Sequence, residues 1–242
     1  MSEFEFKEID NEGMLTLEAI SIANNFNNWM FKTIEPFCKG KILEIGSGIG
    51  NISSEFIKNG HQITVTDIRD IYCAYLERKF ANTVDNVFIM DIIDSDFDSK
   101  HKHLFGQFDT VFALNIVEHV KDDSAAISNA NKLLKIGGNL IILVPAYQAL
   151  YNQFDKELEH YKRYTLPELA SLIEQNKLHI IHKQYFNFIA IFGWWFSGKI
   201  LRKKTIPQRQ MKVYNSLVPV FKIIDKIILN KIGISAIVVA QK

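Results

Sequence analysis

The chain has 242 residues, of which 48% are apolar and 23% charged, with a formal net charge of +1. That balance excludes a disordered polar chain and supplies core material for one large domain or two small ones. The two cysteines, Cys38 and Cys73, stand far apart with no partner at ligand spacing, which excludes a disulfide framework and leaves no metal expected.

The near-neutral total hides a division. From Ile180 to Lys242 eleven Lys and Arg oppose one acid, Asp225, whereas residues 1–179 carry seventeen basic and twenty-six acidic side chains. The last quarter either faces something anionic or balances an acidic domain with a solvated basic face. Met1 to Asp10 is acidic and lacks the basic and apolar regions of a signal peptide, so a cytoplasmic location is expected.

Leu15 to Phe37 is helix-compatible: Ile20, Ala23, Phe26, Met30, Phe31 and Ile34 form an apolar stripe, and Pro36 and Gly40 end it. Asn24, Asn25, Asn27 and Asn28 lower helix propensity there. This segment either caps the domain or folds over a ligand.

Ile42 to Ile45 reads as a buried parallel strand. Gly46, Gly48 and Gly50 follow at alternate positions, and then Ile52, Phe56 and Ile57 recur at helical spacing. Strand, glycine turn and helix together bring backbone N–H groups and a helix N-terminus to a ligand. The dinucleotide spacing G-x-G-x-x-G fails, because its third glycine would fall on Asn51. Glu44 is the odd residue, a carboxylate near the end of a buried strand, where an unpaired charge is costly. An amino-acid ammonium group would serve as its partner.

His61 to Asp67 reads as a second strand. Asp67 lies at the distance beyond the glycine turn, about twenty residues, at which a carboxylate meets ribose hydroxyls, with Asp70 as the alternative register. A helix over about Ile71 to Ala81 leads to a third strand, Val87 to Met90. Asp91 and Ile92 then suit an adenine, one accepting from its amine and the other covering its ring. Asp94, Asp96 and Asp98 mark a polar loop in which His101 and His103 are expected to face solvent rather than ligate. The fourth strand, Phe108 to Leu114, runs into Asn115 to Val120, and a helix over Ala125 to Leu134 is closed by a C-cap at Lys135 to Gly138. Asn139 to Pro145 is the fifth strand. Strands alternating with helices predict a parallel, doubly wound α/β sheet. Glu44, Gly46, Gly48, Asp67, Asp91 and Asn115 all fall on its C-terminal edge, where such sheets bind ligands.

From about Trp29 to Pro145 this combination resembles the class I S-adenosylmethionine (SAM) methyltransferases. The residues that carry the resemblance are Glu44 to Gly50, Asp67, Asp91, the Phe108-Asp109 strand running into Val117 to Val120, and the Leu134 to Gly138 turn. It is closest to the group that includes ubiquinone-type O-methyltransferases and methyltransferase types 11 and 12. The resemblance implies a Rossmann-like, seven-stranded sheet flanked by helices, SAM as cofactor and S-adenosylhomocysteine as product. By position it implies Gly46, Ser47 and Gly48 against the methionine part with Glu44 ordering its amine. It likewise implies Asp67 and Ile68 at the ribose, Asp91 and Ile92 at the adenine, and Asn115 and Ile116 along the methionine side. Asn152 to Arg163, continuing through Thr165 to Leu169, resembles a block that follows strand five in bacterial members.

Methyl transfer needs in-line positioning of a nucleophile and, for an O–H or N–H acceptor, a proton sink. His119 and His160 are the candidate bases, and Tyr161, Arg163, Tyr164 and Trp29 the candidate acceptor contacts. The alternatives are that His119 fixes its loop, Arg163 pairs with Glu159 or Asp155, and the tyrosines pack.

His179 to Tyr185 and Ser235 to Ala240 read as strands six and seven, a close pair in the family. Here residues 186–233 intervene, so the expected organisation is N-terminal cap helices over 1–40, a core over 41–185 and 234–242, and a helical insertion between the last two strands. The insertion holds the aromatic run Phe186 to Phe196, the basic Lys199, Arg202, Lys203 and Lys204, and a stripe of Tyr214, Leu217, Val218, Phe221, Ile224 and Ile228 beside Lys222, Lys226 and Lys231. It fits a packed cap, a homodimer surface or a peripheral membrane contact, and its first apolar run is too short to span a bilayer. The expected activity is methyl transfer to oxygen or nitrogen of a small-molecule or lipid-linked metabolite. A protein or nucleic-acid acceptor is the rival, although no nucleic-acid partner is expected without an aromatic-basic platform on strands. A SAM-binding subunit without turnover is the non-enzymatic rival.

Overall fold

The computed structural model describes residues 11–201, 203, 205 and 207–242; the acidic Met1 to Asp10 and the basic Arg202 and Lys204 lie outside the described residues. Seven strands form one sheet: β1 (Ile42–Ile45), β2 (Ile63–Asp67), β3 (Asn86–Ile89), β4 (Phe108–Leu114), β5 (Leu134–Pro145), β6 (His179–Phe186) and β7 (Ser235–Gln241). Their spatial order is β3-β2-β1-β4-β5-β7-β6. The first five run parallel, and β7 is antiparallel to both β5 and β6. The sheet is therefore the Rossmann-like one implied by the resemblance, with strand order reversing beside β1.

Side-chain alternation sends the strands into two cores. Leu43, Ile45, Val111, Ala113, Leu140 and Ile142 belong to one. Ile42, Ile63, Val65, Phe112, Ile141 and Leu143 belong to the other. Between the first five strands run α3 (Asn51–Lys58), α4 (Asp70–Lys79), α5 (Phe97–His101) and α6 (Asp123–Leu133), preceded by α1 (Asn11–Ser21) and α2 (Asn24–Ile34). Phe56 of α3 stacks on Phe112 at 5.1 Å and meets Phe31 of α2 edge-on at 4.8 Å, which fixes α2 and α3 on one face of the sheet.

The N-terminal stretch forms two helices, as expected, parted at Ile22 and Ala23, where Asn27 donates its side-chain amide back to Ile20 O at 3.0 Å. Two local expectations are corrected. Lys135 to Gly138 is not a helix C-cap. Leu134 is already extended, and β5 starts there because its first residues pair with β4 across a bulge and Gly137 N donates to Lys242 O at 2.9 Å. His101 is buried rather than solvent-exposed, its ring 4.9 Å from that of Phe97, and burial lowers its pKa.

After β5 come α7 (Gln153–Glu157) and α8 (Leu166–Gln175). The insertion comprises α9 (Ala190–Trp194), one π-helical segment (Trp195–Ile200) and α10 (Gln208–Ile227). It packs on the N-terminal helices. Asn215 of α10 accepts from Phe26 N at 3.1 Å through its side chain and from the Asn25 side chain at 3.0 Å through its carbonyl. Asp225 ties the insertion to the sheet: its carboxylate, buried in α10, accepts from Asn187 N at 2.6 Å and Phe188 N at 3.0 Å. Asn187 in turn accepts from Tyr214 Oη at 2.7 Å. Asp225→Ala should orphan two backbone donors and cost about 1–3 kcal/mol, read as a lower urea midpoint at unchanged m value.

Candidate active site

The site begins with the glycine turn between β1 and α3. Gly46, Gly48 and Gly50 all have positive φ, at 72°, 54° and 73°. A Cβ on Gly46 would come within 2.0 Å of Ile116 Cδ1, so side-chain volume is excluded there as well as strained. The turn is held from β2: Ser47 N donates to Thr66 O at 2.7 Å and Gly48 N to Asp67 Oδ2 at 2.8 Å. Asp67 Oδ1 accepts from Arg69 N at 3.0 Å. Burial raises the Asp67 pKa against these donors, and each oxygen keeps a second lone pair.

Glu44 is buried at the C-terminal end of β1, where the Ser53 hydroxyl of α3 donates to it. Desolvation pushes its pKa up to about 7 against that hydrogen bond. A cation arriving beside it would draw the group into its ionised form.

Around this edge lies a cavity of about 650 Å³, within the range of small-molecule and cofactor sites, roughly 300–1,000 Å³. All ten residues assigned by position to a cofactor line it: Glu44, Gly46, Ser47, Gly48, Asp67, Ile68, Asp91, Ile92, Asn115 and Ile116. Asp70 stands exposed in the first turn of α4 and does not. Asp91 is positioned by its own turn, accepting from Ile93 N at 3.0 Å. Asn115, at φ 56°, ends β4 by donating its N–H to Leu143 O at 2.8 Å. Among the described residues, Asn27 Oδ1 and Trp194 Nε1 are buried polar atoms of cavity residues with no hydrogen-bond partner. Buried groups left in that condition fit a ligand's polar atoms.

The post-β5 block forms the other wall. Asp155 is fully buried in α7 and accepts from Arg163 Nε at 2.7 Å, from His160 Nδ1 at 2.8 Å and from Asn152 N at 2.9 Å. Burial alone would raise its pKa, but the His160 hydrogen bond and the Arg163 charge bring the carboxyl below its ordinary value. Asp155 is then the acceptor and the proton sits on His160 Nδ1. Desolvation lowers the His160 pKa, so the ring is neutral at pH 7 with Nε2 unprotonated. Arg163 also donates to Ala146 O at 3.0 Å and lies under the Trp194 ring at 4.8 Å.

His119 and His160 meet edge-on at 4.6 Å. His119 lines the cavity and is open to cavity solvent, yet the enclosing protein, and after it the neighbouring His160, lower its pKa. Glu118, behind them, is fully buried, has no partner for either carboxylate oxygen and is pushed up to about 8 by desolvation. Glu118, His119 and His160 bring ligand-type atoms within 4.8 Å of one another, a grouping hidden by their sequence separation.

Tyr161 and Arg163 line the cavity, whereas two further acceptor candidates are corrected. Trp29 is buried against Phe186 at 4.4 Å, and Tyr164 is buried with its hydroxyl donating to Asp123 Oδ2 at 2.9 Å. Both pack the fold. Arg163 combines a cavity position with the buried pairing to Asp155. The sequence reading missed Phe154 of α7 in the wall, and also Trp194, Met211 and Tyr214, because helical spacing alone does not say which side of the insertion turns inward.

A family profile described as a methyltransferase domain matches residues 43–140. That stretch, less than half of the chain, is similar to the methyltransferase-domain family. The ubiquinone biosynthesis O-methyltransferase of Psychrobacter cryohalolentis is 30% identical over 114 residues, which is 46% of this chain and 43% of that protein. The ubiquinone/menaquinone biosynthesis C-methyltransferase of Zymomonas mobilis is 22% identical over 150 residues, 60% of this chain and 59% of its own. Thus the chain spans less than two thirds of either relative. Among solved structures, a SAM-dependent methyltransferase from Archaeoglobus fulgidus superposes with a TM-score of 0.59 at 18% identity, covering 89% of this chain and 94% of its own. Phosphoethanolamine N-methyltransferase 2 of Haemonchus contortus, in complex with SAM, gives 0.62 at 17% identity, covering 100% of this chain and 61% of its own. Both confirm the fold of the methyltransferase domain.

The raised pKa of Glu44 has a signed consequence for the ligand-free domain. The folded state binds this proton more tightly than the unfolded state, so Glu44 makes stability fall as pH rises from about 4.5 to about 7. Glu44→Gln should gain roughly 1–3 kcal/mol on wild type between pH 4 and pH 8, measured by urea unfolding at each pH.

Proposed function

We propose that the chain binds SAM in this cavity and transfers its methyl group to an oxygen or nitrogen of a small-molecule or lipid-linked acceptor. The carrying observation is the convergence of Glu44, Asp67 and Asp91 from three strand ends on one cavity behind a glycine turn closed to side chains. A pyrophosphate would be repelled by these acids, whereas a methionine ammonium, ribose hydroxyls and an adenine amine each match one of them. The Ser47 hydroxyl and the backbone of the turn complete the methionine end, and Ile68, Ile92 and Ile116 supply apolar contact.

When bound, SAM supplies an electrophilic sulfonium methyl. The protein's task is then to orient an acceptor and take up its proton. His119 is placed for the second role by its position in the cavity wall, its ring against that of His160. His160 is a positioning residue, oriented by Asp155 and packed against the His119 ring. Tyr161, Arg163 and Trp194 bound the volume left for the acceptor. The names of the relatives and structural neighbours span O-, N- and C-methylation, and each of these releases one proton that His119 is placed to take up.

Asp67→Ala should weaken SAM binding at least about tenfold by calorimetry, the loss of a charged hydrogen-bond acceptor. Unchanged affinity would sink the cofactor assignment. Incubation with SAM and fractionated cell extract should yield a species heavier by one methyl group in mass spectra, and SAM binding without such a product would favour the non-catalytic subunit. With the acceptor in hand, His119→Ala should lower kcat about 10²-fold or more at unchanged SAM affinity.

A further inference from the structure

We propose that the outward face of the insertion docks the protein on an anionic lipid bilayer surface. The inner side of α10 is accounted for: Met211 and Tyr214 line the cavity, while Val218, Phe221 and Asp225 are buried. The outer side is apolar and uncovered. Val213, Leu217, Val220, Ile223 and Ile227 recur at i, i+4, i+7, i+10 and i+14, which keeps them on one side of the helix, and all five are exposed, Ile227 at 73%. Beyond the end of α10, Leu229 and Ile232 are exposed as well.

The preceding segment exposes further apolar side chains. Phe192, Trp195, Phe196, Ile200 and Leu201 are exposed, and the π-helical segment is joined to the start of α10 by the Gln210 side chain donating to Ser197 Oγ at 3.2 Å. Monomeric soluble proteins rarely leave a whole aliphatic side of a twenty-residue helix uncovered without a partner.

Charge selects the partner. Residues 186–233 hold nine Lys and Arg and a single acid, Asp225. That acid is buried and satisfied by two backbone donors, so it neutralises nothing outside. Lys199, Arg209, Lys212, Lys226 and Lys231 are exposed, with Lys212, Lys222 and Lys226 along one flank of the α10 stripe. Apolar side chains flanked by cations match the acyl-headgroup boundary of an anionic membrane. A second copy fits less well, because a two-fold contact through this face sets one lysine-rich surface against another. None of the described helices is long and apolar enough to cross a membrane, so the contact is interfacial. It places the bilayer on the far side of the helix that walls the cavity.

Co-sedimentation of the whole chain with phosphatidylcholine vesicles, with and without phosphatidylglycerol, tests the docking face. The chain should pellet with the phosphatidylglycerol vesicles at low salt, lose binding as salt rises, and show a blue shift of Trp emission on binding. Val220→Glu with Ile223→Glu, both at exposed positions, should weaken vesicle binding about tenfold or more while SAM affinity and the far-ultraviolet circular dichroism stay unchanged. Absence of pelleting at low salt, or equal binding by the double variant, would overturn the proposal. So would a dimer in light scattering that the double variant dissociates, which assigns the face to a second copy. Vesicle binding and SAM binding are separate readouts, so either can fail without the other.

Discussion

The hydrogen bond from Gly48 N to Asp67 Oδ2 joins the end of β2 to the turn after β1, and much of the site depends on it. It holds a backbone run in which alternate residues take positive φ, a conformation that only glycine enters without strain. With the turn in place, α3 starts where the Ser53 hydroxyl reaches Glu44, and the carboxylates of neighbouring strands face the same space. Burial raises the proton affinity of Glu44 and Asp67, and at Glu44 the neighbouring Asp67 charge adds to it. The ligand-free site is thereby destabilised in a way that a cationic ligand relieves.

The opposite wall follows a different logic. Asp155, His160 and Arg163 form a buried charged cluster whose members satisfy one another and two backbone groups, which is the condition under which burying charge is tolerable. The cluster fixes the chain after β5 at the edge of the sheet. It also sets the tautomer of a histidine that packs against His119. The structural reading of Arg163 and its cavity position are thus compatible: the guanidinium is held by Asp155 on one side and covered by Trp194 on the other.

Helix α10 joins these walls to the exterior. One side closes the cavity with Met211 and Tyr214 and anchors through Asp225; the other presents an aliphatic stripe beside lysines. The packing seen against α1 and α2 accounts for only the inner side. A cap and the proposed docking surface are therefore two sides of one helix rather than alternatives.

Local pattern was enough for the sheet and for the residues that share one cavity at its C-terminal edge. The apolar strands, the alternate glycines, and the acids at 44, 67 and 91 each act through their own strand end, and a parallel sheet aligns those ends whatever surrounds them. Element boundaries were less legible: Leu134 enters β5 early because β4 and Lys242 offer it partners, and His101 turns inward because Phe97 does. Only the tertiary structure decided the wall opposite the glycine turn. Trp29 and Tyr164 have the residue types of a binding site but spend their surfaces on Phe186 and Asp123. Asp155, Trp194 and Tyr214 carry no distinguishing local signal and acquire a place at the site through contacts far along the chain. Sequence determined what sits on one strand end; which residues meet across the cavity depended on packing between segments that no local spacing records.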